Sequence, residues 1–352
     1  MKIGKIPETV LKRSVFKQIH KRSKEVPTKP GVGHDYCGVY TSPGDIITIA
    51  TEPVSGASSD IGLIAVHMAV NNLVCSGAKP VGILQTILLP EGFRESDLKM
   101  MIKAIEEQCH MLDMEIMGGH TEVSDAVVHP VLVITGVGKV KTSALLSSKN
   151  ILAGQEIVMT KWAGIKGTYL LAKDHEAELI SRYNRDFIQG AKELLRYISV
   201  YDDAKAAVDF GVAAMHDVAR SGIFGALWEF AAAANVGLKV NLKKIPLKQE
   251  TVEICNYFNI NPYQMASEGS LLIAVGQGEL LVQHLGDQGI DARVIGRFVA
   301  GNDRVIINDD EVRYLEPPGT DEIQKVINNG FSDLAMEGDE NERKNFNRHR
   351  KK

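Results

Sequence analysis

The sequence predicts an α/β protein, with α+β as the open alternative, built as two domains and a short tail. Three observations carry this. The chain has 352 residues, and at roughly 100–200 residues per domain that length suggests two. Strand-like and helix-like stretches alternate, and the alternation restarts near residues 150–154. Apolar residues make up 44% and charged residues 24%, ordinary for a globular chain.

In the first half, residues 46–51 form a β-branched run, which reads as a strand. Residues 61–77 read as a helix with Asp60 as N-cap, apolar on nearly every side and therefore buried. Val81 to Leu89 reads as a strand. Leu98, Met101, Ile102, Ile105, Cys109 and Leu112 keep helical spacing, which predicts a helix over 96–112. Residues 115–118 and 131–140 read as strands. In the second half, strands are predicted at 156–160, 237–242, 271–275 and 292–298. Helices are predicted at 167–174, 186–197, 203–210, 223–234 and 279–289. The resulting domains are 1–152 and 153–316, followed by 317–352 as a short helix and a charged tail. Residues 333–352 are too polar to bury a core of their own.

Composition excludes several classes. No run approaches the roughly 18 apolar residues of a membrane span, and the first residues lack a signal peptide's apolar core. A cytoplasmic protein is expected. The 44 acids and 40 bases leave a net charge of −4, which argues against nucleic-acid binding by bulk charge. The basic stretch Arg343–Lys352 is read as a solvated tail, with a polyanion-binding arm as the lesser reading. Cys37, Cys75, Cys109 and Cys255 are widely spaced, so neither structural zinc nor a disulfide framework is expected. Cys75 and Cys109 sit in apolar helical patterns and read as buried thiols.

Four segments could carry chemistry. Gly31-Val32-Gly33-His34-Asp35 pairs two glycines, whose amides can cradle phosphate, with an acid that can hold a divalent metal. A tight turn is the plain alternative. Asn71 and Asn72 lie in the buried helix and need partners, from backbone or from a ligand. Gly118-Gly119-His120-Thr121-Glu122 lies at the end of a predicted strand, a common ligand position in α/β sheets. Ala214 to Gly222 precedes an apolar helix. There Arg220 could pair with phosphate, and Asp217 could bind metal or act as a base. A capped loop with an Asp–Arg surface pair is the alternative.

Taken in order, these segments resemble one superfamily. Its members are aminoimidazole ribonucleotide (AIR) synthetase, formylglycinamidine ribonucleotide synthetase, selenophosphate synthetase, thiamine-monophosphate kinase and the hydrogenase-maturation protein HypE. Val70-Asn71-Asn72-Leu73 with Ser76-Gly77-Ala78-Lys79-Pro80 is similar to its Val-Asn-Asp-Leu…Gly-Ala-Lys-Pro segment. Ala50-Thr51-Glu52 resembles Thr-Thr-Asp, and Gly118-Gly119-His120-Thr121 resembles Gly-Gly-Asp-Thr. Met215-His216-Asp217 through Gly225 resembles Arg-Asp-Pro-Thr-Arg-Gly-Gly. Asn261-Pro262 with Ser267-Glu268-Gly269 resembles the late Asp-Pro…Asn-Glu-Gly of HypE. The match covers roughly residues 30–310.

The resemblance implies a PurM-like fold, whose first domain dimerises through its sheet and whose second is an α/β sandwich. It implies ATP and Mg²⁺ (or Mn²⁺, or another divalent metal), with the γ-phosphoryl group passed to a small amide, carbonyl or carboxyl substrate. The implied metal ligands are Asp35, Glu52, Asn72 and His120. The phosphate cradle is Gly31, Gly33, His34, Asp35, Gly118, Gly119 and Thr121. Asp217, Arg220 and His120 take the catalytic positions, with Glu122 and Glu268 as supports. Family acids are replaced at His34, Asn72 and His120, and an Asp by Glu52, so the implied metal site is less negative. The chain also lacks HypE's C-terminal cysteine and selenophosphate synthetase's N-terminal one. The alternative function is a non-catalytic nucleotide- or small-molecule-binding accessory protein. The expected partners are ATP, an unidentified substrate and a second copy of the chain, with neither membrane nor nucleic acid.

Overall fold

The computed structural model describes residues 8–10, 12, 31, 37–41, 43–56 and 59–327. Gly33, His34, Asp35 and the charged tail lie outside the described residues. In chain order the elements are α1 (Glu8–Val10), β1 (Cys37–Tyr40), β2 (Asp45–Ser55), α2 (Ile61–Val74), β3 (Lys79–Leu89), α3 (Glu95–Met111), β4 (Glu115–Val123) and β5 (Val131–Lys141). The second half holds β6 (Glu156–Thr160), α4 (Ile165–Asp174), α5 (Glu176–Leu179), α6 (Arg185–Glu193), α7 (Tyr201–Phe210), β7 (Ala214–Val218), α8 (Gly222–Ala234) and β8 (Gly237–Asn241). It ends with α9 (Gln249–Tyr257), β9 (Ser270–Val275), α10 (Gly278–Asp287), β10 (Ala292–Val299), β11 (Arg304–Asn308) and β12 (Glu311–Tyr314).

Two sheets result. The first has five strands in the order β1-β2-β5-β3-β4, and the second seven in the order β12-β11-β8-β10-β6-β9-β7. Pairing is antiparallel except at β3–β4 and β8–β11. The α+β alternative therefore describes each sheet better than a parallel α/β sheet does.

In the first sheet the residues of β2 and β5 alternate in burial. One face, with Val54, Ile83, Ile87, Leu132 and Ile134, packs against Ile64, Met68 and Ile105 of α2 and α3. Among α2's residues only Leu63 escapes full burial, as its all-round apolar sequence requires. Its buried face continues across the domain boundary, sharing one core with Tyr169, Ile198, Val200, Met215 and Leu271. The two halves are thus packed through α2.

Three local expectations are corrected. The predicted strand at 115–118 runs on to Val123, so the Gly-Gly-His-Thr-Glu motif lies within an edge strand rather than in a loop after one. Ala214–Val218 is a fully buried strand and not a capped loop. Its His and Asp mask the apolar run by which a buried strand is recognised. Asp60 makes no side-chain cap bond to α2. Its carboxylate is taken by Tyr169 and Lys173 of α4, and Lys173 lowers its pKa although burial opposes that.

Candidate functional site between the domains

Four of the singled-out side chains converge where α2 meets β7. Glu52 is half-buried on β2. Its Cα partner is the core residue Ile134, so Glu52 looks toward the helix-covered face. Asn72 stands on α2, 8% exposed, and Asp217 on β7, 5% exposed. The Asn72 carboxamide lies between the two acids. With its nitrogen toward Glu52 it donates to Oε2 at 3.5 Å. Turned the other way, it donates to both Asp217 oxygens at 2.7 and 3.2 Å. In either orientation the amide nitrogen faces one carboxylate and its oxygen the other, so only one of the two acids receives a hydrogen bond from it.

Arg220 closes the group from the second domain. Its guanidinium donates to the Pro53 carbonyl at 2.7 Å and lies 3.7 Å from Glu52. The expected Asp–Arg surface pair is therefore an inter-domain clasp onto β2.

Strained backbone supplies that reach. Ser221 (φ 66°) and Gly222 (φ 63°) are both left-handed. A Cβ on Gly222 would fall 2.5 Å from the Tyr263 carbonyl oxygen. The turn is anchored by Asp321, which accepts the amides of Ser221 and Ala266, both at 3.2 Å, and of Ile323 at 3.1 Å. Burial pushes the Asp321 carboxyl above its usual range. Ser221 adds a hydroxyl bond to the Gly319 carbonyl. Asp321 gave no sequence signal, because its partners lie about 55 and 100 residues away.

A buried ion pair adjoins the group. Lys166 of α4 donates to Glu268 Oε1 at 2.5 Å and lies 3.4 Å from Met68 Sδ. Met68 is one helical turn before Asn72, on the same face of α2. Glu268 is 1% exposed, and its Oε2 has no hydrogen-bond partner among the described residues. Lys166 was missed because a lone Lys in an apolar stretch reads as a surface residue.

Other expected site residues lie elsewhere. His120 and Glu122 are exposed on β4 and pair with each other at 3.0 Å. The register Pro53–Val133–Thr86–His120 puts three strand spacings between β2 and His120, roughly 14 Å. Thr121 shares that exposed strand, with Gly118 and Gly119. Gly119 is fixed by packing, since a Cβ there would fall 1.9 Å from the Gln85 carbonyl oxygen. Gly31 is half-buried. Asn71 takes the structural reading. It donates to the Ile198 carbonyl at 2.8 Å and accepts from the Val200 amide at 3.0 Å, tying α2 to the second domain. Cys75, Cys109 and Cys255 are buried, the Cys75 thiol donates to the Asn71 carbonyl, and burial pushes Cys109 to about 11 and Cys255 to about 12.

The donor set suits a hard cation. Two carboxylates and one amide oxygen match the oxygen preference of Mg²⁺ or Ca²⁺ rather than a nitrogen- or sulfur-seeking metal. Among the described residues no group of three or more His, Cys, Asp or Glu forms a metal cluster, so substrate oxygens would have to complete the shell.

Acids and an arginine from both halves of a two-domain, two-sheet fold thus meet where the halves join. The chain belongs to the AIR synthase related family. The family's N-terminal domain matches residues 34–140 and its C-terminal domain residues 153–308. The chain is 30% identical to a protein of Methanocaldococcus jannaschii named as a hydrogenase expression/formation protein, over 76% of this chain and 78% of the relative. It is 28% identical to carbamoyl dehydratase HypE of Rhodobacter capsulatus, over 74% and 75%. A crystal structure of hydrogenase maturation protein HypE in complex with ATP shares the fold, with a TM-score of 0.64, 17% identity and coverage of 88% and 91%. Among the described residues no helix is long and apolar enough to cross a membrane.

Proposed function

We propose that the chain is an ATP-dependent enzyme that passes the γ-phosphoryl group of ATP to the oxygen of a small amide, carbonyl or carboxyl substrate. The observation that carries this is the convergence of Glu52, Asn72, Asp217 and Arg220 from both domains. Phosphoryl transfer needs its anionic oxygens neutralised and held in line. Glu52, Asp217 and the Asn72 amide oxygen would hold a divalent cation, which when bound supplies charge neutralisation for the phosphates. Arg220 offers its planar guanidinium to phosphate oxygens, from a turn that Asp321 holds rigid. Glu268, buried and charge-paired with Lys166, would support the group by taking a proton from the substrate. The relatives named carbamoyl dehydratase and the ATP-bound HypE support the choice of substrate class and nucleotide.

The active form is a homodimer joined through the open face of the first sheet. His120 and Glu122 stand at the edge of that face, so their contribution would come at the seam between two copies. By the family resemblance, Gly31, Gly33, His34, Asp35, Gly118, Gly119 and Thr121 would form the phosphate cradle.

The test is nucleotide binding by calorimetry with Mg²⁺ or Mn²⁺, followed by ATP turnover over a panel of small amides. Asp217→Asn is expected to reduce turnover at least a hundredfold, the loss typical of a transition-state charge contact. Absence of nucleotide binding with either metal would refute the proposal. Binding without turnover on any amide would favour the accessory-protein alternative.

A further inference from the structure

The seven-stranded sheet is covered unevenly. On one face, Leu238, Val240, Ile295 and Phe298 pack under α8. On the other, Val158, Leu271, Ile273 and Val294 pack under α7 and α10. No residue of β8 or β11 joins that second cluster. There the sheet instead floors a groove of about 720 Å³, lined by Lys239, Asn241, Lys244, Arg297 and Glu156 together with several glycines.

The charges in this groove are arranged against folding economy. Arg297 of β10 and Lys239 of β8 are register partners. Like charges placed directly opposite on neighbouring strands repel and destabilise a sheet. Lys244 lines the same groove. Among the described residues none of the three cations has an ion pair or hydrogen bond to its side chain. The adjoining Lys243 shows the usual solution, gripping Asp309 at 2.5 and 2.7 Å. Glu156, the acid of the groove, is register partner to Arg297 on its other side. It makes no ion pair with Arg297 among the described residues, and its Oε2 accepts the Gly278 amide at 2.6 Å, at the start of α10. This concentration of cations also stands out in a chain whose net charge is −4.

Glycine keeps the floor open. A Cβ on Gly296 would fall 2.3 Å from the Lys239 carbonyl oxygen and 2.9 Å from a Val240 methyl, so the close approach of β8 and β10 under the groove requires glycine there. Gly154 and Gly276 also line the groove, and a Cβ at either would meet nothing within 4 Å. The space beside the cations is therefore unfilled, and its volume is within the roughly 300–1,000 Å³ of small-molecule sites.

We propose that this groove is a second ligand site, for a phosphorylated small molecule carrying at least two anionic groups and bound without a metal. Arg297 supplies a planar fork suited to two phosphate oxygens, and Lys239 and Lys244 supply point charges for a second group. An anion seated between Arg297 and Lys239 turns their repulsion into shared attraction. The groove has no residue in common with the cleft of Glu52, Asn72, Asp217 and Arg220, and the inference is independent of what that cleft does.

The experiment is calorimetric titration of the full chain with inorganic tripolyphosphate in EDTA, which denies metal to the inter-domain cleft. Wild type is expected to bind. The double variant Lys239→Gln/Arg297→Gln is expected to bind at least tenfold more weakly, and Lys244→Gln at least threefold. In anion-free buffer the double variant should melt no lower than wild type, because it removes a repulsion. Lys244 lies outside the strands, so its variant reports on binding even if the strand pair tolerates change poorly. The inference is overturned if wild type takes up no tripolyphosphate, or if the double variant and Lys244→Gln both bind it as wild type does.

Discussion

Two adjacent asparagines show how one residue type divides into structure and site. Asn71 satisfies both halves of its amide on the Ile198–Val200 backbone, so it needs no ligand. Asn72 stands between Glu52 and Asp217 and can donate to one of them at a time. Replacing Asn72 by Asp puts a third carboxylate between these two. Without metal the added repulsion should lower the melting temperature by roughly 2–4 °C, the shift that about 1 kcal/mol produces in a domain of 150–250 residues. With millimolar Mg²⁺ the order should reverse, since a more negative oxygen cage binds a hard cation more tightly. Melting curves of wild type and Asn72→Asp in EDTA and in MgCl₂ decide it. A variant whose stability ignores the metal would remove Asn72 from the proposed cation site.

At the scale of elements, the α2–α3 contact contains a titratable group in the core. His67 is 6% exposed, its Nε2 lies 2.9 Å from Gln108 Oε1, and its Nδ1 has no partner among the described residues. Gln108 Oε1 can only accept, so Nε2 carries the hydrogen. Burial holds the imidazole below its ordinary 6.5, although the Gln108 bond opposes this. The unfolded chain therefore binds a proton that the folded chain refuses, and stability must rise with pH through this window. It should be fully present above about pH 6.5 and decline as pH falls below it. Urea unfolding at pH 7.5, 6.5 and 5.5 should show a steeper loss in wild type than in His67→Gln. Equal slopes would mean that His67 protonates in place.

The same elements show what the sequence made legible. α2 was readable because nearly all its positions are apolar, and α3 because its apolar positions keep strict helical spacing while its other faces are charged. β7 was not, because its His216 and Asp217 are buried polar groups that only tertiary partners justify. The order of motifs located Glu52, Asn72, Asp217 and Arg220, and those side chains converge. Asp321 and Lys166 were invisible, since each acts on groups about 100 residues away. The exposure of β4 was equally hidden, because strand order decides which strand becomes an edge, and strand order leaves no local pattern.

For the whole molecule, the open face of the first sheet poses an unsolved burial. Among the described residues helices cover one face only, and on the other Val81, Leu84 and Met117 are 48%, 45% and 41% exposed. Ile47, Ile49, Val133 and Val137 on that side are half-buried. A contiguous apolar face on a sheet marks an interaction surface, and a two-fold pairing of identical faces is the commonest way to cover one. Leu84→Glu places a charge in the middle of β3, where a paired face would have to desolvate it. Sedimentation analysis should therefore find wild type as a dimer and Leu84→Glu as a monomer at the same concentration. The monomer should retain its fold by circular dichroism, because Leu84 lies outside the helix-covered core. ATP turnover should fall with the dimer, because His120 and Glu122 would lose the surface they face while the Glu52–Asn72–Asp217–Arg220 group stays whole within one chain. A fully active monomer would confine catalysis to the inter-domain cleft and leave β4 without a part in it. A variant that remains dimeric would place the interface elsewhere on the molecule.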